Sequence, residues 1–560
     1  MTDAFGLADR FVEEVASLTP VLATNLGVPG HDHEWGESLS LRGFEELAAL
    51  ARRYRPEFEK FLDDPDPKQR LAARVTVGSI DERLVSFEEG DHFLSLRHLA
   101  SSFHSISTVF TIMPTKTGEH WDAICSRLET IDKAYGDYRE LLDVGRQRKV
   151  TVARRQVRSV SEQAAHLAGK DSAFLKILDT AESSRVLSER LERAVDHARE
   201  QAGAFSRWLI DSYLPDAVEE DGVGEEVYRR NADRLVGLTI DPKEAYGWGW
   251  DELNRLFGEM KRVGDRIVPG ATVEEVRDHL ESDPAEQAHS PEALVEYVTT
   301  LLEQAVTDLA GSHFDVPEGI RPLTVQIAPP GGPLSAYYIA PSEDLTRPGG
   351  VWYSIGDQTV FPKYQHTSTA YHEGFPGHHL QIATVKYRKD DLSRTQRSLT
   401  WYPGYSEGWG MYAEVLMGEL GYLEDPKNYF GMLAKQAYRA ARVVVDIGLH
   451  LGLRIDPSSA VAPGEIWGFD TAIETMKVYG FQTPSEAEAE VLRYLGWPAQ
   501  APTYKLGERE ILSIRQENRD RLGSDFDLRK FHATVINNGS MRLDLLRQVV
   551  AEQLSPSSPE

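Results

Sequence analysis

Residues 368–383 read STAYHEGFPGHHLQIA. His372 and Glu373 form the His-Glu pair that opens the zinc-peptidase pattern H-E-x-x-H, in which two histidines one helical turn apart share a metal and the glutamate serves as base. The second histidine of that pattern would stand at 376, where the sequence has Pro376; the next histidines are His378 and His379. In an unbroken helix His378 would lie about 9 Å further along the axis and face elsewhere, and His379 about 10.5 Å away. Proline inside a helix clashes with the carbonyl four residues back, here that of His372, and Gly377 adds backbone freedom. A kink or bulge at Pro-Gly is therefore expected to absorb the two extra residues and return a histidine to His372. The same letters also fit a helix end with surface histidines, so the reading needs support from elsewhere in the chain.

That support lies downstream. In YPGYSEGWGMYAEVL, residues 402–416, Pro403 and Gly404 predict a turn, Ser406 a cap, and Glu407 the opening of a helix. A glutamate on a separate helix is the third ligand a His2Glu zinc site takes. Glu407 is the first candidate and Glu414, two turns on, the reserve. In YRAARVVVDIGLHLG, residues 438–452, Arg442, Asp446 and His450 make a polar stripe on an apolar helix. Asp446 is a candidate for the carboxylate that orients a metal-bound histidine, or for a structural pair with Arg442.

Around these motifs the chain reads as mostly helical. Up to residue 313 amphipathic segments follow one another, such as SRVLSERLERAVDHAREQAGAFSRWLI (184–210) and the capped start TIDPKEAYGWGWDEL, where Asp241 caps, Pro242 opens and Glu244 reaches back. Composition changes at 314–356, rich in Pro and Gly with short β-prone runs TVQIA, AYYIA and VWYSI. The expected organisation is an N-terminal helical lobe, 1–313, and a metal-binding region, 314–560, with a small β-sheet beside the metal-binding helix. GGPLS (331–335) is expected as a turn, SPSSPE (555–560) as a frayed tail, and GHDHEW (30–35) as an exposed loop.

Over 560 residues, 41% are hydrophobic and 27% charged, the balance of a globular protein. A net charge of −27 disfavours nucleic acid and anionic membrane as partners. No apolar run has the length of a membrane span, the start of the chain lacks a secretory pattern, and the single cysteine, Cys125, leaves no internal disulfide. A cytoplasmic location is the expectation.

Taken together, HEGFPGHHLQ, SEGWGMYAE, RAARVVVDIGLH, EVLRYLGWPAQAPTYKLG and LRKFHATVINNGSMRLDLL resemble the bacterial family named domain of unknown function 885, whose signature is H-E-x-x-P-G-H. The resemblance implies a gluzincin-like metallopeptidase with two helical lobes around a deep groove. It favours His378 over His379 as the second ligand, giving one Zn2+ per chain on His372, His378 and Glu407 with Glu373 as base. Tyr504 and His532 become candidates for stabilising an oxyanion, and Arg493 and Lys505 for holding a substrate carboxylate. The substrate expected is a short peptide; a small non-peptide amide would use the same chemistry, and an inactive helical scaffold is the reading from another class.

Overall fold

The computed structural model describes residues 3–183, 188–328, 336–342 and 345–554. The turn expected at 331–335 and the tail 555–560 lie outside the described residues. Helices dominate, and they follow the apolar spacing. The helix Glu189–Trp208 buries Leu191, Ala194, Val195, Ala198, Ala202 and Phe205, with Ser188 capping its start by accepting from the Leu191 amide. Asp241 caps Pro242–Ile267 as expected by accepting from the Lys243 amide. Glu244 turns instead to Arg509 at 2.8 Å.

The chain forms two compact units. The first comprises Met1–Gly222 with two short returns, Ser393–Leu399 and Leu492–Trp497. Its core gathers Trp35, Phe103, Tyr138 and Phe205. The returns are tied in by polar contacts: Thr395 Oγ1 lies 2.7 Å from Thr76 Oγ1, and Gln156 Nε2 donates to the Leu492 carbonyl at 2.9 Å. The GHDHEW loop is not simply exposed. It wraps a fully buried Arg127, which donates to the carbonyls of His31 and Glu34, while Trp35 enters the core.

The second unit comprises Val223–Leu392, Thr400–Val491 and Pro498–Glu560. Its central helix, Pro426–Leu451, starts at a capping Asp425, continues through Pro426 in the first turn, and closes on Gly452 in the left-handed conformation. The glutamate-bearing helix, Pro403–Glu419, begins a turn earlier than the sequence suggested, so Ser406 sits inside it and not at a cap. Proline is well suited to that first position because its missing amide would be unpaired there in any case. This helix lies so close to Thr503–Leu522 that a methyl at Gly408 would come 2.5 Å from the Gly507 carbonyl carbon.

All three β-prone runs form strands. Gly349–Tyr353 is central, parallel to Leu323–Ile327 and antiparallel to Tyr337–Ile339, with Val351 opposite both Val325 and Tyr338. The sheet meets the helix His378–Tyr387 through Tyr338, whose hydroxyl lies 3.0 Å from His379 Nδ1. Among the described residues no helix is long and apolar enough to cross a membrane.

Candidate metal centre

The first histidine closes the helix Lys363–Glu373, which stops at Gly374. A short loop with a cis Phe375–Pro376 peptide follows, and a new helix begins at His378. This corrects the expected kink: the helix ends and restarts. Proline cannot continue the ladder, and Gly377 passes so close under the first helix that a Cβ would lie 1.9 Å from the His372 carbonyl oxygen. The loop is pinned at two adjacent residues. The Gly377 amide donates to the Tyr371 carbonyl at 3.0 Å, and Trp409 Nε1 donates to the Pro376 carbonyl at 2.9 Å.

The break brings His372 and His378 ring to ring, centroids 4.8 Å apart and planes nearly perpendicular. Each Nε2 lies 3.4 Å from the same atom, Glu407 Oε2. Glu407 comes from a second helix, and its spacing there matters. Positions 407, 410 and 414 share one face of Pro403–Glu419. At 410 a glycine makes room for the His372 imidazole, since a methyl would come 2.5 Å from Cε1. At 414 the carboxylate lies 2.8 Å from His372 Nδ1 and accepts from Ser368 Oγ at 2.6 Å. One helix face thus supplies a candidate ligand, the space for a histidine ring, and the carboxylate that orients that ring.

The side chains are recessed, with 3% of His372, 10% of His378 and 16% of Glu407 exposed. Burial pushes the Glu407 carboxyl up, but hydrogen bonds from the two histidines outweigh it and hold it well below the usual range. Burial pulls His372 down, but its bonds to Glu407 and Glu414 lift it to about 10. Burial raises Glu373, helped by the negative charge of Glu407.

These residues fit a metal ion. Tetrahedral ligands with bonds near 2.0–2.1 Å stand about 3.3 Å from one another, close to the two 3.4 Å separations found. Three carboxylates, Glu373, Glu407 and Glu414, meet here in a recessed place that calls for a cation. His372, with Nδ1 committed to Glu414, has its other nitrogen directed at the cluster, the arrangement typical of a metal-bound histidine. Among the described residues this is the single group of three or more such side chains placed to share an ion.

The remaining sequence candidates fall elsewhere. His379 is a structural residue, its Nε2 bonded to the Ile320 carbonyl at 2.7 Å and its Nδ1 to Tyr338. Asp446 does not serve a ligand histidine; it accepts from Tyr228 Oη at 2.6 Å and the Ala499 amide at 3.0 Å. Arg442 pairs with Glu490 at 2.9 Å. Tyr504 stays beside the cluster, its ring 6.4 Å from that of His372 and nearly parallel. His532 is fully buried, with Nε2 on Tyr412 Oη and Nδ1 on the His313 carbonyl. Arg493 belongs to the first unit, over the Tyr494 ring. Lys505 is buried between Glu252, Gln436 and Glu508, so it has no hand free for a substrate. Sequence reading passed over Gly410, and also Lys435 and Arg439, although the last two recur at helical spacing with Arg442.

A model of a family described as "Bacterial protein of unknown function (DUF885)" matches residues 20–550. The chain belongs to the DUF885 family. Two solved structures share the DUF885 chain's fold over almost its whole length. One is a "putative lipoprotein" from Colwellia psychrerythraea, 22% identical with a TM-score of 0.84, covering 99% of this chain and all of that one. The other, from Shewanella oneidensis, carries the same description with unknown function, at 17% identity and a TM-score of 0.75, covering 98% of this chain and all of that one. An M32 carboxypeptidase from Deinococcus radiodurans R1 aligns at 12% identity and a TM-score of 0.32, covering 98% of this chain and 99% of that one, too loosely to carry an argument. No curated protein matches this DUF885 chain in sequence.

The lipoprotein description of both close-folding relatives overturns the expected cytoplasmic location. The physical basis of that expectation was thin, because one cysteine forms no internal disulfide in any compartment.

Proposed function

We propose that this DUF885 protein is a zinc-dependent hydrolase that cleaves peptide bonds of short peptides. The observation that carries the proposal is the convergence of His372 Nε2 and His378 Nε2 on one oxygen of Glu407, each at 3.4 Å. In this reading His372, His378 and Glu407 hold one Zn2+, and Glu414 fixes the tautomer and direction of His372. Zinc bound there supplies Lewis acidity, making a water easier to deprotonate and a carbonyl more electrophilic.

The chain's own residues do the rest. Glu373 stands next to the first ligand at the end of its helix and is only partly buried. It takes the proton of the attacking water and delivers it to the leaving amine, and the upward push of burial on its pKa suits a group that must accept and then release a proton. Tyr504, stacked beside His372, is the donor assigned to the oxygen that gains charge as the carbonyl is attacked. The recessed ligands admit an extended peptide more readily than the surface of a folded protein.

Metal content by elemental mass spectrometry tests the reading, with wild type beside His378→Ala, His379→Ala and Glu373→Gln. The expected result is about one zinc per chain, lost in His378→Ala and kept in the other two, with peptide hydrolysis abolished in Glu373→Gln. Absence of zinc after loading and dialysis of the wild type would refute it.

A further inference from the structure

The central helix carries two cations near the candidate metal centre that have no carboxylate partner among the described residues. Lys435 and Arg439 are one turn apart and both partly buried. Neither makes a hydrogen bond or an ion pair with any described residue, and Arg439 Nε is buried without a partner. Arg442, on the next turn, is different: it donates to Glu490 at 2.9 Å and to Tyr438 Oη at 2.6 Å.

Their position is tied to the candidate site by a chain of contacts. The Arg439 guanidinium lies 5.9 Å from the centre of the Tyr504 ring, and that ring lies 6.4 Å from His372. Arg439 acts electrostatically on both Glu373 and Glu414, and Lys435 on Glu414. Burial and the neighbouring Arg439 push the Lys435 ammonium down to about 8, as expected of a cation with no close counterion. Arg439 also stands 5.1 Å from the centre of the Tyr438 ring, but a ring face carries no net charge, and a partly buried cation without a counter-anion is costly unless something else supplies the opposite sign. A divalent ion together with these two cations leaves the site one positive charge in excess of Glu373, Glu407 and Glu414.

We propose that Lys435 and Arg439 form a carboxylate-binding subsite, so that preferred substrates carry a carboxylate close to the bond that is cut. The subsite rests on the hydrolase reading above and narrows its substrate class. The arginine fork suits two-point binding of a carboxylate, and the lysine adds a point charge one turn away. The carboxylate has two sources, the C-terminus of a peptide or an acidic side chain, with the same chemistry at the protein.

The test uses zinc-loaded full-length protein and matched N-acetylated tripeptides, one with a free C-terminal carboxylate and one amidated. An amidated pair with aspartate or asparagine next to the scissile bond completes the set. Two readouts are taken: kcat/KM, and calorimetric binding to the Glu373→Gln variant, which separates recognition from turnover. The expected result is a preference of about 100-fold for the carboxylate-bearing member of a pair. Arg439→Gln should bring that ratio close to one, Lys435→Met should lower it about tenfold, and Arg439→Lys should restore part of it. Preference within the first pair assigns the C-terminus, and within the second an acidic side chain. Should Arg439→Gln fail to fold, Lys435→Met with unchanged zinc content carries the test alone. Equal binding of both members by the wild type, or an unchanged ratio in the folded variants, overturns the subsite. Failure of the hydrolase reading looks different, since peptides would bind with the stated preference while none is cut.

Discussion

Two buried clusters in the second unit are built from similar carboxylates and solve the same problem in opposite ways. Around Lys505, the ammonium donates to Glu252 at 3.0 Å, Gln436 at 2.6 Å and Glu508 at 2.8 Å. Around Glu407, two histidine nitrogens and a carboxylate oxygen face a common point, with Glu373 and Glu414 adding negative charge. The first cluster carries its cation on one of its own side chains and is closed. The second brings two histidine nitrogens and a carboxylate oxygen to one point that a cation from outside the chain could bridge. Burial of carboxylates is common to both, so burial alone does not mark a functional site. What separates them is whether the compensating charge is covalently part of the chain.

Replacing members of each cluster should therefore have effects that do not cross over. The largest expected change is in the open cluster: His378→Ala should lose zinc and drop peptide hydrolysis by more than about 1,000-fold, while thermal unfolding of the metal-free forms stays close to that of metal-free wild type. Lys505→Met should do the reverse. It leaves Glu508 buried without its cation and Glu252 with Arg255 alone, at a cost of about 3 kcal/mol, measured by urea unfolding, and zinc per chain should remain at the wild-type value. Loss of zinc in Lys505→Met would break the comparison, because the two clusters would then act as one.

Acidity sharpens the contrast further. Lys505 serves two carboxylates, and the burial of Glu508 wins over its share of that charge, raising its pKa from 4.5 to about 7. Glu252, which also has Arg255, is held below its ordinary value against the opposing push of burial. Between about pH 4.5 and 7 the folded protein holds a proton on Glu508 that the unfolded chain releases. The stabilisation is full below that window and is lost as pH rises through 7, by on the order of 3 kcal/mol. Urea unfolding from pH 5 to 8 should show this decline in wild type and a flatter profile in Glu508→Gln.

The difference between the clusters also explains what sequence could and could not tell. HEGFPGHH and SEGWGMYAE announce themselves because a metal ligand set needs particular residue types at short, recurring spacings, and the helices follow from apolar periodicity. The strands at 323–327, 337–339 and 349–353 were legible because Pro and Gly bracket β-prone runs. Lys505 carried no such mark. Its partner Glu252 is 253 residues away, and in sequence a buried lysine looks like one that reaches for substrate. Choosing Glu414 over Asp446 as the carboxylate behind a histidine likewise depended on which helix the folded chain lays against His372. The form of the break at Pro376 was also out of reach, since a proline predicts an interruption but not whether one helix bends or two helices form.

Glu414 offers the finest test, because it belongs to the open cluster without facing the common point. Its Oε1 lies 2.8 Å from His372 Nδ1, and its other oxygen is held by Ser368. Glu414→Gln keeps the shape and leaves an amide that can still accept from Nδ1, but removes the charge that makes the imidazole a better donor to a cation. Carboxylates in this position typically contribute 10- to 100-fold in metal affinity, so zinc should still bind, about tenfold more weakly, in competition with a chelator. Gly410→Ala acts on the same ring by another route, since the added methyl 2.5 Å from Cε1 must displace it. If the ring's direction is what Glu414 secures, the two changes share one consequence, and the double variant should weaken zinc by less than the product of the single effects. Simple multiplication would instead make Glu414 a source of charge alone and move it, functionally, towards the closed kind of cluster.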